Sequence, residues 1–210
     1  MYQVFKNGGP IMYPLLACSL IVLTVIIERS LFWLKIEYQR KRSLVDEVLE
    51  LCRCGDWEAV RVKTQGSRDF VVRILVSGIL HRDFSMLKAM EAAAADEVQR
   101  MQRFMGVLDT MITVAPLLGI LGTVLGIITS FEMLGSAGIE NPGEVTAGVA
   151  QALITTATGL GIAISSVFPY NYFNAKVARA ALDMEKYATS LEIVYEKMSH
   201  EKSCNGGGGS

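Results

Sequence analysis

The residues whose types and spacing could do chemistry in this chain are hydroxyls and one amide, set in two apolar stretches. Residues 110–131 read TMITVAPLLGILGTVLGIITSF. They carry Thr110, Thr113, Thr123 and Thr129 among Pro116 and three glycines, Gly119, Gly122 and Gly126. Residues 145–171 read VTAGVAQALITTATGLGIAISSVFPYN and supply Gln151, Thr155, Thr156, Thr158, Ser165 and Ser166. Neither 110–131 nor 145–175 contains Asp, Glu, His, Lys or Arg. Hydroxyls and an amide relay hydrogen bonds and orient water, but they do not store a proton near neutral pH. A proton path across a membrane needs a titratable group at depth. If these stretches conduct protons, the titrating group must come from another chain.

At 100° per residue, Gln151, Thr155, Thr158, Ser165 and Ser166 share one sector of a helical wheel. Thr156 stands about 140° from Gln151. The segment is therefore polar on more than one side, and lipid does not suit most of its circumference. The bland account is interhelical glue. Such hydroxyls are worth about 1 kcal/mol each across membrane helices, and glycines let backbones approach. Glue explains any single hydroxyl; the set, concentrated on two adjacent spans, reads as a polar path. Gly119, Gly122, Gly126, Gly159 and Pro116 read as packing positions on its walls.

Other chemistries find little support. Gly119-x-x-Gly122-x-x-x-Gly126 is followed by no Lys-Ser/Thr, so it is not a phosphate loop. His81 and His200 lie far from the apolar stretches and from each other, which leaves no base for a catalytic triad. Cys52-x-Cys54 lacks the spacing of a zinc knuckle or redox pair, and Cys18 and Cys204 stand apart. The expectation is a protein that is not an enzyme and holds no metal or cofactor. The net charge of −1 offers no surplus to meet phosphates, which argues against nucleic acid.

The elements that position these residues follow from where the apolar residues fall. The 210 residues are 51% hydrophobic with a mean hydropathy of +0.35. They fall in blocks, not periodic faces. Residues 11–27 form a first apolar run, which Leu31–Leu34 extends past Glu28-Arg29. No small-x-small cleavage site follows, so the run reads as a retained span with Trp33 near the interface. Residues 35–107 are polar and mostly helical. Ser43 is placed as the cap of a helix over 44–53, Asp56 as the cap of a short helix from Trp57, and Asp83-Phe84-Ser85 as the next cap. From Met86 no strong breaker occurs until Pro116, so one helix is expected from 86 to 134, about 70 Å long.

Residues 134–144 read as a turn-rich hairpin. Asn141-Pro142-Gly143-Glu144 starts the third span, with Asn as cap and Pro at the first helical position. After 175, Val177, Met184, Leu191 and Met198 recur every seven residues, with Ala180, Tyr187 and Val194 between them. That stripe marks a helix packed on others outside the membrane. The tail GGGGS (206–210) reads as a flexible linker and is set aside.

Of 20 Lys and Arg residues, 14 lie in 28–107 and five after 175; Lys6 precedes the first span and none lies in 135–144. The positive-inside rule then places the N-terminus out, 35–107 in, the hairpin out and the C-terminus in. The expected fold is an all-α membrane protein with three transmembrane helices and long cytoplasmic extensions. Its segments are 1–34 (periplasmic N-terminus and first span), 35–107 (cytoplasmic), 108–134 (second span), 135–144 (periplasmic hairpin), 145–175 (third span) and 176–205 (cytoplasmic helix).

Several motifs resemble the proton-channel family of ExbB, TolQ and MotA. They are GPIMYPLL…IIERSLFWL (9–34), Gly55-Asp56-Trp57, APLLGILGTVLGII (115–128) and GVAQALITTATGLGIAI (148–164) followed by Tyr170-Asn171. They run from one end of the chain to the other in the family's order. Length and three spans resemble the ExbB/TolQ branch, not the four-span flagellar stators. The resemblance implies a multi-pass protein of the bacterial inner membrane, assembled as a homopentamer. Within it stand helices of an ExbD- or TolR-like single-span partner with an intramembrane aspartate. Protons are the coupling ion, and the work passes to a TonB- or TolA-like effector. It also implies that Thr123 and Thr156 are the two pore threonines; Gln151 and Thr155 are placed on the same path by the polar sector of the third span, not by the resemblance.

Two positions depart from the family pattern. Gln151 stands where many relatives carry Glu, so no role of that acid carries over. Ser165 stands where the family favours proline, and Pro169 follows four residues later, which would shift a kink by one turn. The competing readings are a non-conducting membrane scaffold whose polar residues only pack helices, and a small-molecule transporter. The transporter reading lacks discontinuous helices and an inverted repeat.

Overall fold

The computed structural model describes residues 9–82, 84–137 and 142–206. These residues are helical, joined by short turns. The helices are α1 (Met12–Gln39), α2 (Arg42–Arg53), α3 (Trp57–Thr64), α4 (Phe70–Leu80), α5 (Met86–Gln102), α6 (Met105–Ala137) and α7 (Pro142–Gly206). Three of them, α1, α6 and α7, contain stretches long and apolar enough to cross a membrane. The chain divides into two compact units. One draws on residues 1–30 and 104–174, the other on 31–103 and 175–210.

In the first unit each helix buries only a narrow stripe. On α1 this is Met12, Leu15, Cys18, Val22, Val25 and Arg29, spaced three or four apart as one helical face requires. On α6 it includes Leu108, Ala115 and Gly119, and on α7 Ala152, Thr155, Gly159 and Ala163. Large apolar side chains stay outside: Leu16, Leu20 and Leu23 on α1, Leu117 and Ile120 on α6, Leu160 and Ile164 on α7. In water such a surface would be a liability, whereas in hydrocarbon it costs nothing. Small residues meet where α6 and α7 pack. Both helices run without interruption through their prolines, Pro116 and Pro169.

The second unit is packed like a soluble domain. Its core contains Val48, Cys52, Val60, Phe70, Ile74, Leu75, Met90 and Met101 together with Val177, Met184 and Leu191. Val177, Ala180, Met184 and Leu191 of the seven-residue stripe are buried; Tyr187, Val194 and Met198 are half-buried. Trp57 and Tyr195 meet edge to face with centroids 6.4 Å apart. Ion pairs tie distant segments: Arg40 to Asp183 at 2.7 Å and Arg73 to Glu97 at 2.6 Å.

Several expectations need correction. The long helix from 86 is broken: α5 ends at Gln102, Arg103 is extended (φ −52°, ψ 134°), and Phe104 adopts φ +65°. A left-handed phenylalanine is unusual, because its Cβ crowds the carbonyl; neither Gly nor Pro marks the site. Arg29 helps hold it, its guanidinium lying 5.7 Å from the Phe104 ring centre.

Ser43 is not a cap, because α2 starts one residue earlier with Lys41 at the cap position and no side-chain capping bond. The Lys41 N–H instead donates to Asp69 at 2.9 Å, from a residue 28 positions away. The same carboxylate caps α4 through the Val71 N–H at 2.8 Å. Asp56 caps α3 through the Ala59 N–H, as its position before Trp57 suggests.

Ser85 stands at the start of α5 without a side-chain bond, and Asp83 lies outside the described residues. Trp33 is 7% exposed, its ring packed within the protein. Of the hairpin expected over 134–144, residues 134–137 instead continue α6 and 142–144 open α7, which does begin at Pro142; 138–141, including Asn141, lie outside the described residues.

Candidate functional site

The intramembrane hydroxyls fall into two groups by what they bond. Thr110, Thr113, Thr129, Ser130, Thr158 and Ser166 each donate to the carbonyl four residues back on their own helix, at 2.7–3.3 Å. This is how a hydroxyl satisfies itself in an apolar medium, and it needs no polar neighbour. Thr123, Thr155 and Thr156 behave differently, since they bond between α6 and α7.

Their geometry centres on the Gly119 carbonyl. Thr156 Oγ1 donates to it at 2.9 Å. Thr155 Oγ1 lies 3.4 Å from the same oxygen and donates to the Ala152 carbonyl at 2.7 Å. Thr123 Oγ1 is hydrogen-bonded to Thr156 Oγ1, with the Gly119 and Ala152 carbonyls at 3.2 and 3.4 Å. Each hydroxyl has one proton to donate. Two arrangements therefore satisfy the pair. Either Thr156 donates to Gly119 and Thr123 donates to Thr156, or Thr156 donates to Thr123 and Thr123 donates to a carbonyl. Rotation of the two O–H bonds is all that separates these arrangements; the heavy-atom positions are the same in both.

Glycine makes this approach possible. A Cβ on Gly119 would stand 3.0 Å from the Thr155 carbonyl oxygen and from the Thr156 Cα. A Cβ on Gly122 would stand 2.8 Å from the Thr155 Cβ, and one on Gly126 2.8 Å from the Ala152 Cβ. A Cβ on Gly159 would collide with the Ala115 carbonyl oxygen, next to Pro116. Gly161, two residues on, has nothing within 4 Å. Clearance, not flexibility, is what the four packing glycines supply.

Gln151 stands apart from the threonine pair. Its side chain lies against Gly9, which adopts φ +68°, and it borders a cavity of about 550 Å³. Gly122, Gly126, Thr129 and Ser130 line the same cavity, which carries hydroxyl and amide groups and, among the described residues, no carboxylate. Thr155 is buried, and Thr156 and Thr123 are half-buried.

One charged residue of this unit was not singled out by the sequence. Arg29 is 1% exposed, and its guanidinium pairs with Glu28 at 2.5 and 2.7 Å. Its signal was a charge pair interrupting an apolar run. In the other unit, burial pushes the Cys52 thiol up to about 11, which leaves it unreactive.

The family model of the MotA/TolQ/ExbB proton channel family matches residues 67–186. An ExbB-like biopolymer transport protein of Synechocystis is 34% identical over 90% of this chain and 92% of its own length. A second ExbB-like protein of Synechocystis is 35% identical over 94% of this chain and 80% of its own. The Tol-Pal system protein TolQ of Pseudomonas aeruginosa is 37% identical over 54% of this chain and 49% of its own. With three helices long enough to span a bilayer and this match, the chain is a multi-pass membrane protein. It belongs to the MotA/TolQ/ExbB proton channel family, on the ExbB/TolQ branch.

Proposed function

We propose that this chain is the channel subunit of an inner-membrane motor that couples proton flow to mechanical work on a TonB- or TolA-like periplasmic effector. The observation that carries the reading is the Thr123–Thr156 pair at the Gly119 carbonyl, between two spans without a titratable residue. The pair orients hydrogen bonds and stores no proton. The storing group is then the intramembrane aspartate of an ExbD- or TolR-like single-span subunit. In this scheme the proton rides on that carboxyl. To donate to its ionised form a threonine gives up its bond to a main-chain carbonyl, and either hydroxyl oxygen can accept from the protonated form. Five copies around the partner helices, with N-termini out and C-termini in, complete the assembly proposed here.

Reconstitution in liposomes with a pH-sensitive dye tests this. The chain alone should be proton-tight, and co-reconstitution with the aspartate-bearing partner should make the vesicles leak protons. Conduction by this chain alone would sink the partner-acid account.

A second reading has its own support. Most intramembrane hydroxyls bond their own helix, as they would in a scaffold with no conduction. If the cellular process that depends on this chain is indifferent to a protonophore, the scaffold reading prevails.

A further inference from the structure

A pocket of about 470 Å³ in the second unit has no part in the proton path. It is bordered by Lys35 from the last turns of α1, Arg40 just beyond that helix, Arg68 from the turn before α4, Arg73 from α4 and Arg100 from α5. Five cations around one cavity repel one another unless anions answer them. The protein's own carboxylates answer only some. Glu97 is engaged by Arg73 at 2.6 Å and lies 3.8 Å from Arg100, and Asp183 is held by Arg40. Asp69, also on the wall, is 2% exposed and spends its two oxygens on the N–H groups of Lys41 and Val71.

What remains is a set of donors without acceptors. Lys35 and Arg68 are exposed and have no carboxylate partner among the described residues. The Arg73 Nε is buried and makes no hydrogen bond. Ser67 Oγ accepts from the Asp69 N–H at 3.4 Å, so its own proton is available to donate. Guanidinium and hydroxyl donors converging in this way suit a phosphate ester.

The remaining walls say which one. Phe32, Ile36 and Phe70 also line the pocket, and Arg40 stacks on Phe70 with 4.9 Å to its centre. Inorganic phosphate has no use for an aromatic wall and fills a small part of this volume. Phe32, Lys35 and Ile36 sit on the helix that carries the first apolar run. Lys35 directly follows Leu34, the last residue of that run. Basic groups just beyond a span are where anionic headgroups gather.

We propose that this pocket binds the phosphodiester headgroup of an anionic phospholipid, with Lys35, Arg68 and Arg73 on the phosphate and Phe32, Ile36 and Phe70 against the glycerol and first methylenes. The site is independent of the conduction scheme.

Native mass spectrometry of the full chain in detergent tests it, with phosphatidylglycerol and phosphatidylcholine of identical acyl chains as probes. Phosphatidylglycerol should be retained preferentially. Lys35→Gln with Arg68→Gln should weaken its retention about tenfold, to the level of phosphatidylcholine. Arg68→Lys on the Lys35 background should keep most of it, which separates lost charge from lost fold. Millimolar inorganic phosphate should not displace the lipid. Unchanged phosphatidylglycerol retention in the double variant, or equal retention of the two lipids, would overturn the proposal. Displacement by inorganic phosphate would also overturn it, because the site would then be one for a free anion.

Discussion

At the scale of single residues, Thr123 and Thr156 differ from the other membrane hydroxyls in what they bond. Six neighbours are satisfied within their own helices, whereas these two share a hydrogen bond across helices. Valine keeps the shape and removes the O–H. Thr123→Val or Thr156→Val should therefore lose about 1 kcal/mol of helix packing, too little to dismantle a complex. Yet it should abolish most of the proton-driven work, while Thr158→Val leaves the work intact. Co-purification with the partner and an assay of the driven process measure the two effects separately. Normal work in both valine variants would reduce the pair to glue.

Gly159 makes a companion test. Its missing Cβ clears the Ala115 carbonyl, so Gly159→Ala should cost about 1–3 kcal/mol through overpacking. Gly161→Ala, facing open space on the same helix, should be neutral within about 0.5 kcal/mol. Thermal unfolding in detergent compares them.

At the scale of elements, the helices were legible wherever the signal was local. The apolar runs give α1, α6 and the first half of α7, and Pro142 gives the start of α7. The seven-residue stripe gives the buried face beyond residue 175. What escaped was set by partners distant in sequence. Ser43 is a plausible cap by type, but Asp69 reaches the Lys41 N–H from 28 residues away. The break at Arg103–Phe104 carries no Gly or Pro, and a left-handed Phe is held by a ring contact with Arg29 that no pattern announces.

The site shows the same division. The wheel grouped Thr155 with Gln151 and left Thr156 aside, and it was family resemblance that paired Thr156 with Thr123. Asp69 is the element-scale residue to change. Asp69→Ala removes the cap of α4 and leaves the Lys41 N–H unpaired, so the second unit should lose about 2 kcal/mol or more. Asp69→Asn, which keeps an acceptor oxygen, should lose less. If the two variants unfold together at the wild-type temperature, the capping account fails.

At the scale of the whole molecule, charge distribution argues for one orientation. Fourteen of 20 basic residues fall in 28–107 and none in 135–144. Moving that many charges to the outer side is strongly disfavoured during insertion, so 35–107 and the C-terminal helix should face inward. The cysteines report on this without any engineering. Cys54 is exposed, whereas Cys52 is fully buried with its thiol pushed up to about 11, and Cys18 lies in the first span. Cys54 should therefore react with maleimide near pH 7.5 while Cys52 and Cys18 do not, and Cys54 is placed inside. An impermeant maleimide added to intact spheroplasts should leave the wild-type chain unlabelled and label it after permeabilisation. Ala137→Cys, at the end of α6, should be labelled in intact spheroplasts. Labelling of the wild-type chain from outside, with Ala137→Cys silent, would invert the topology. The same result would move the basic pocket to the outer leaflet and reverse the direction in which protons reach the threonine pair.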